Sequence, residues 1–318
     1  MPGRRDHQRR WGVILSGGDG MRLRPLTRLL TGDDRPKQFC RLIGDRTLLR
    51  ETRDRVARMV RPDRTLFVLT KSHEPFYTGE LADVPPQRMI VQPINRGTLP
   101  AILWTLTHLT RLDQQAVVAF FPSDHHYVHE GKFVDEVASA FEAAEAVPRV
   151  ILLGAPASSP AIDYGWIEPD RLTDGSKLFQ VKRFREKPPS EVAQELLEQG
   201  CLWNTFVMVG RVHSFLELIQ SAACSLYETF QAAVEQHKGE ANPELMQAIY
   251  AQIGTADFSR VVLSQTTEKL AVLSLGDVGW DDLGHPDRVS AVRAQMSPRK
   301  PASQALISEV AVSAAVAG

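Results

Sequence analysis

The sequence predicts an α/β domain built on a mostly parallel mixed sheet with helices on both faces, and three observations carry that expectation. Apolar runs of strand length recur, beginning with Trp11-Gly12-Val13-Ile14-Leu15. Segments with helical apolar spacing separate them. The first run also feeds straight into Ser16-Gly17-Gly18-Asp19-Gly20, and in sheets of this kind ligands collect at the carboxyl ends of strands.

The elements follow in order. Thr47 to Val60 sets Leu48, Leu49, Thr52, Val56 and Met59 on one helical stripe. Thr65 to Thr70 reads as a second buried strand, a helix around Glu74 to Ala82 follows, and Met89-Ile90-Val91 is a short strand. The spacing of Ile102, Leu106, Leu109 and Leu112 predicts a helix from Thr98 to Leu112, and Val117 to Phe121 a strand. Gly131 to Val147 reads as helix and Val150 to Leu153 as strand. Past Pro156 come strands at Tyr164 to Glu168, Leu178 to Arg185 and Leu202 to Val209, with a helix from an N-cap at Ser190 to Glu198, stopped by Gly200. A helical stretch from Val212 to about Ile253 and a strand at Val272 to Leu275 complete the pattern. Residues 11–290 are expected to form the main domain, in two parts of about 11–155 and 156–290. Residues 1–10 read as a basic leader and 291–318 as a C-terminal arm.

The 318 residues are 43% hydrophobic, enough for a substantial core, and the net charge of −1 gives no sign of a nucleic-acid or membrane partner. Cys40, Cys201 and Cys224 are too scattered for a disulfide framework or zinc ribbon, which fits a reducing cytoplasm. No run approaches the roughly 20 apolar residues that span a bilayer, and Trp11 to Leu15 is too short for the core of an export signal. No internal repeat is evident. The assembly state is not legible, a homodimer being one option.

The chemistry concentrates at the Gly-rich loop. Glycines let successive backbone N–H groups approach phosphate oxygens, Arg22 can fork two oxygens, and Lys37 in Pro36-Lys37-Gln38-Phe39 supplies a second charge. The loop is neither G-x-G-x-x-G nor a P-loop, because its glycines are misplaced and no Lys-Ser or Lys-Thr closes it. Asp124, just beyond the strand ending at Phe121, is placed to hold magnesium against phosphate, and Asp282 can supply a second carboxylate. His125, His126 and His129 contain an H-x-x-x-H spacing but lack the Glu of a metalloprotease, so loop packing, with His125 orienting its carboxylate neighbour, is the better reading.

These segments resemble the signatures of the sugar-1-phosphate nucleotidyltransferases, most of all the mannose-1-phosphate guanylyltransferases. Gly17 to Leu23 is similar to G-G-x-G-x-R-L, Pro36-Lys37 to the P-K that follows it, and Pro122 to His125 to P-x-D-H. Gly279 to Gly284 resembles G-W-x-D-x-G, Tyr164 to Glu168 resembles Y-G-Y-I-E, Phe184 to Pro188 resembles F-x-E-K-P, and Trp203-Asn204-Thr205 resembles W-N-S. Gln92 to Ala101 is similar to E-P-x-x-R-N-T-A-P-A, with Gln92 for the acidic residue, Gly97 for Asn and Leu99 for Ala. Met21, Arg24 and Phe206 also depart from the pattern, and Asp19 adds a negative charge to the loop.

The resemblance implies a Rossmann-like, GT-A-like fold and transfer of a nucleotidyl group from GTP to mannose 1-phosphate, with Mg²⁺ as cofactor. Arg22 and Lys37 would be catalytic. Leu15, Ser16, Gly17, Gly18, Gly20, Gln92, Arg96, Thr98 and Asp124 would join them in binding nucleotide. Tyr164, Gly165, Glu168, Glu186, Lys187 and Asn204 would bind the sugar phosphate, and Asp124 and Asp282 the metal, Asp281 being the less favoured neighbour. Some bacterial members carry a C-terminal isomerase domain, for which these 318 residues leave no room, so transferase activity alone is expected. Alternatives are a transferase using glucose 1-phosphate with UTP or dTTP, or a regulatory protein that binds nucleotide sugar without making it.

Overall fold

A computed structural model describes residues 9–170, 177–236 and 243–296. The first half contains β1 (Arg10–Leu15), α1 (Arg24–Thr31), α2 (Leu48–Val56), β2 (Thr65–Thr70), α3 (Glu74–Tyr77), β3 (Met89–Gln92), α4 (Thr98–Leu112), β4 (Val117–Pro122), β5 (His126–Tyr127) and α5 (Glu130–Ala146). After β6 (Val150–Pro156) come β7 (Gly165–Asp170), β8 (Leu178–Glu186), α6 (Ser190–Glu198) and β9 (Leu202–Arg211). The chain continues through α7 (Val212–Ala222), α8 (Cys224–Gln236), α9 (Pro243–Gln252), β10 (Leu270–Ser274), β11 (Trp280–Asp281) and α10 (Pro286–Met296).

The main sheet has the order β3-β2-β1-β4-β9-β6-β10-β8-β7, while β5 and β11 form a separate antiparallel pair. Strands β3, β2, β1 and β4 are parallel, as their apolar character on both faces requires. Side chains divide with the two-residue period: Val13 and its register partners Leu66 and Phe120 enter one core, Ile14 with Phe67 and Phe121 the other. Helix α4 covers the first face with Leu99, Ile102, Leu103, Leu106 and Leu109; α5 covers the second with Phe133, Val137, Phe141 and Ala144. Each large apolar side chain among them, fully buried, contributes about 1.5–3 kcal/mol relative to exposure.

The sheet reverses direction at β9, which runs antiparallel to both β4 and β6. Beside β6 it bulges, since Leu152 to Gly154 spans Met208 to Asn204, and Phe206 sits there at φ 59. That left-handed backbone is one glycine adopts readily and a side-chain-bearing residue such as Phe206 adopts uncommonly.

Several boundaries differ from expectation. The helix begun at Thr47, whose hydroxyl accepts from the Arg50 N–H at 3.2 Å, ends at Val56 in a turn instead of continuing to Val60. Pro189 with extended ψ, not Ser190, caps α6, and Ala193 N–H donates to the Pro189 carbonyl at 2.9 Å. Arg10 belongs to β1 and pairs with Glu145 at 2.8 Å over the Phe141 ring, so the leader cannot extend to it; residues 1–8 lie outside the described residues. The arm expected from 291 begins inside α10, and 297–318 lie outside the described residues. Among the described residues no helix is long and apolar enough to cross a membrane.

Candidate active site

A cleft of about 370 Å³ opens where β1, β3 and β4 end, so Leu15, Gln92 and Pro122 line it from the ends of three strands of the parallel half. Gly17, Gly18, Thr98, Asp124, Tyr164, Gly165, Glu186, Lys187, Asn204 and Asp282 also line it, bringing together most of the residues singled out in the sequence.

The loop is held from behind. Thr70 Oγ1 donates to Gly17 O at 2.9 Å, and Gln38 Nε2 donates to Ser16 O at 3.0 Å and Gly18 O at 2.8 Å. Gln38, within the Pro-Lys-Gln-Phe segment, thus fastens that segment to the loop and lines the cleft itself. Ser16 is fully buried with its N–H on Val68 O at 2.8 Å, so it supports the loop from inside and does not line the cleft. Gly20, at φ 59, turns the chain toward Arg22. Asp19 carries its charge away from the cleft: its carboxylate faces His73 Nε2 at 3.1 Å and accepts from Asn95 Nδ2 at 2.9 Å.

Lys37 is buried between the two carboxylate-bearing segments. Its Nζ lies 3.3 Å from Asp124 Oδ2 and donates to the carbonyls of Asp282 and Leu283. Arg22 stands at the half-exposed rim, 3.3 Å from Asp163 and 3.9 Å from Asp282 Oδ2. The Oδ1 of Asp282 accepts from Tyr164 Oη at 3.0 Å, Arg288 Nη1 at 2.6 Å and Gly284 N–H at 2.9 Å, leaving Oδ2 for a ligand. Burial opposes ionisation of Asp282, but Lys37, His125 and Arg288 outweigh it and hold its carboxyl below the usual range. Asp281 instead caps the Leu283 N–H at 2.6 Å, and burial raises its carboxyl.

His125 is half-buried in the wall of the cleft beside this pair, its Nδ1 accepting from Trp280 Nε1 at 3.1 Å and its Nε2 3.9 Å from Asp124 Oδ1. Burial chiefly drives its ring to about 4, with Lys37 adding to the effect and Asp124 opposing it. Between the ordinary value near 6.5 and about 4 the unfolded chain holds a proton that the folded chain does not, so stability falls as pH falls through that window. The loss from this group reaches about 2 kcal/mol at pH 5. His125→Asn, whose Oδ1 can still accept from Trp280, should therefore narrow the stability gap to wild type by about 2 kcal/mol between pH 7 and 5 in urea melts. Parallel pH profiles for the two proteins would contradict the assignment.

On the side of the cleft formed by β7, β8 and β9, Gly165 permits a close approach, since a Cβ there would lie 2.8 Å from Glu186 Oε2. Glu186 is raised by burial first and by Asp257 second, and Lys187 Nζ stands 3.6 Å from it. Lys187 has φ 49 where the chain turns out of β8, and its N–H donates to Tyr164 O at 3.1 Å. Asn204 is buried in the bulge, its Oδ1 accepting from Phe206 N–H at 3.1 Å, which leaves its amide NH₂ for the cleft it lines.

Besides Ser16, three residues stand differently from expectation. Arg96 points away from the cleft lining, its Nε donating to Tyr250 O at 2.9 Å on α9, a backbone acceptor remote in sequence. Glu168, three residues past Gly165 on β7 and so on the opposite face, meets Lys182 at 2.5 Å and Arg183 at 3.9 Å. Tyr164 lines the cleft, but its hydroxyl is committed to Asp282 and Arg288. Asp163, Asp257 and Arg288 were not singled out in the sequence; Arg288 in particular sits in a polar helix with no motif, stacked 4.7 Å over the Tyr164 ring. The histidine trio does not converge: His126 lies in β5 and His129 precedes α5, and among the described residues no group of three or more His, Cys, Asp or Glu is placed to hold a metal.

A Gly-rich loop over a buried lysine–carboxylate pair, with a second carboxylate brought in just after β11, is an arrangement of an α/β fold that suits phosphate chemistry. The chain belongs to the nucleotidyl transferase family, whose model matches residues 11–297. It is 30% identical to the alginate biosynthesis protein AlgA of Pseudomonas fluorescens, over 86% of this chain and 56% of that protein. It is 27% identical to the mannose-1-phosphate guanylyltransferase of Escherichia coli, over 86% and 57% respectively. The chain thus spans a little over half the length of these curated relatives. Its fold is similar to the crystal structure of mannose-1-phosphate geranyltransferase from Thermus thermophilus, with a TM-score of 0.77 and 26% identity, covering 89% of this chain and 79% of that one.

Proposed function

We propose that the chain transfers a guanylyl group from GTP to α-D-mannose 1-phosphate, giving GDP-mannose and pyrophosphate. The observation that carries this reading is the Lys37 ammonium fixed between Asp124 and the Asp282 segment behind the Gly-rich loop. The names of the guanylyltransferase relatives support the choice of substrates. A sugar-phosphate oxygen, already an anion at neutral pH, forms the new bond to the α-phosphorus while the bond to the bridging oxygen of pyrophosphate breaks. No proton need be removed, so positioning and charge stabilisation carry the rate.

Within that reading the loop N–H groups orient the triphosphate, Lys37 faces the transferred phosphate, and Arg22 meets the departing pyrophosphate at the rim. Lys187 neutralises the sugar phosphate, and Glu186 and Asn204 meet sugar hydroxyls. The carboxylates of Asp124 and Asp282 fit Mg²⁺, because both line the cleft and the Oδ2 of Asp282 carries only a 3.9 Å contact to Arg22. When bound, the ion would offset charge on the phosphates. A cytoplasmic setting suits these substrates.

A panel of GTP, ATP, UTP and dTTP against mannose 1-phosphate and glucose 1-phosphate, followed by pyrophosphate release, tests the assignment. Highest kcat/KM with GTP and mannose 1-phosphate is expected. Preference for another pair would replace the substrates, and binding of GDP-mannose without any turnover would favour a regulatory role.

A further inference from the structure

Asp19 is the one acidic residue between Ser16 and Arg22, and its carboxylate ties together the turns that follow three neighbouring parallel strands. Asp19 itself follows β1. Its Oδ1 lies 3.1 Å from Nε2 of His73, in the turn after β2, and its Oδ2 accepts from Nδ2 of Asn95, in the turn after β3, at 2.9 Å. Gly17, Gly18 and Asn95 line the cleft, so the tie joins two of its walls.

Both partners are themselves held. His73 is only 4% exposed, and its ring meets Phe39 of the Pro-Lys-Gln-Phe segment edge-on, with centroids 6.0 Å apart. Burial chiefly holds the ring below its ordinary range, so at neutral pH it is uncharged and the contact with Asp19 is a hydrogen bond. Asn95 is oriented by its other end: Oδ1 accepts from the Gly97 N–H at 2.9 Å, a group that can only donate, which leaves the NH₂ for Asp19. One carboxylate therefore couples the Gly-rich loop to a buried ring and to the backbone that leads into α4.

We propose that Asp19 is a positioning residue that orders the Gly-rich loop before the triphosphate arrives. A loop of glycines has much backbone freedom to lose when its N–H groups close on phosphate, and a tie to the turns after β2 and β3 removes part of that loss in advance. This rests on the cleft being the nucleoside triphosphate site. A carboxylate near a triphosphate would by charge alone weaken binding, so the tie and the charge predict opposite results when Asp19 is replaced. Because Asp19 acts on the loop and not on the reacting atoms, its effect falls on nucleotide affinity and leaves kcat unchanged.

Asp19→Ala removes both contacts, whereas Asp19→Asn keeps an oxygen for Asn95 and offers an N–H to the uncharged His73 ring. Two measurements are made on each: the Kd for GTP by calorimetry, alongside its KM and kcat, and the rate at which trypsin cuts after the half-exposed Arg22 in protein without ligand. In Asp19→Ala the Kd and KM for GTP are expected to rise about tenfold, the scale of one hydrogen bond to a charged group, with kcat unchanged. Cleavage after Arg22 should quicken as the loop opens more often, and Asp19→Asn should match wild type in both measurements. An unchanged or tighter Kd in Asp19→Ala, unchanged cleavage in that variant, or an Asp19→Asn protein as impaired as Asp19→Ala would each overturn the proposal. Wild-type protein that binds no triphosphate, with cleavage still quickened in Asp19→Ala, would instead overturn the reading of the cleft on which it rests.

Discussion

Lys37→Met is expected to lower kcat by about 100- to 1000-fold, the scale observed when one preorganised charge-stabilising donor is removed from an active site. Lys37 is only 8% exposed and meets Asp124 and two backbone carbonyls, so it is positioned before any ligand arrives and needs little reorganisation when charge develops. Met retains the length and packing of the stem. Its neighbour Asp124 keeps about a quarter of its side chain in solvent, so the lost partner should cost stability modestly. Asp282, held low partly by Lys37, should shift upward. Lys37→Arg should not rescue turnover, because a planar fork does not fit a site shaped for a compact ammonium. Stopped-flow single turnovers with thermal melts on the same samples check this. A folded Lys37→Met protein turning over within about fivefold of wild type would remove Lys37 from the chemistry.

Gly97→Ala should destabilise the chain by about 3 kcal/mol, combining backbone strain with overpacking. Gly97 has φ 83 and ψ −177, a region open essentially to glycine alone. A Cβ there would fall onto the Ala256 carbonyl oxygen and 3.0 Å from its carbon. The obstruction cannot move cheaply, because Leu99 N–H donates to the same oxygen at 3.0 Å and Ala256 N–H donates to Arg96 O at 3.0 Å. The melting temperature should fall by roughly 6–12 °C, given about 2–4 °C per kcal/mol for chains of comparable size. Since Gly97 and Thr98 line the cleft, and Thr98 Oγ1 ties to Asp257 at 3.2 Å and accepts from Phe258 N–H at 2.8 Å, KM for the nucleotide should rise as well. An unchanged melting temperature would show that the 255–258 segment yields freely.

The elements read most accurately from the sequence are those whose apolar spacing is unambiguous. Helix α4 has the expected bounds of Thr98 to Leu112, and β1, β2 and β4 lie where continuous apolar runs place them. Strand direction is another matter, because an apolar run is the same read parallel or antiparallel; the reversal at β9 is set by tertiary contacts on both edges. Helix α1 escaped notice because Leu29 and Leu30 are exposed and only Leu26 and Thr27 turn inward.

The same distinction holds in the cleft. Loop glycines, Lys37, Asp124 and Asp282 stand at strand ends or in short motifs, so local sequence places them. The direction of a side chain is not local information: Arg96 finds a carbonyl on α9, and Glu168 lies on the far face of β7 from Gly165. The grip of Tyr164 and Arg288 on Asp282 joins three distant segments and has no signature in any one of them.

The most direct test of the central claim follows the phosphorus atoms. Wild-type protein is given mannose 1-phosphate and magnesium with GTP labelled at the α-phosphorus, and in a parallel reaction with GTP labelled at the γ-phosphorus. Attack at the α-phosphorus predicts that the α label appears in GDP-mannose and the γ label in pyrophosphate, in equal amounts. Release of γ label as inorganic phosphate, or of α label as GMP or GDP without any nucleotide sugar, would contradict it.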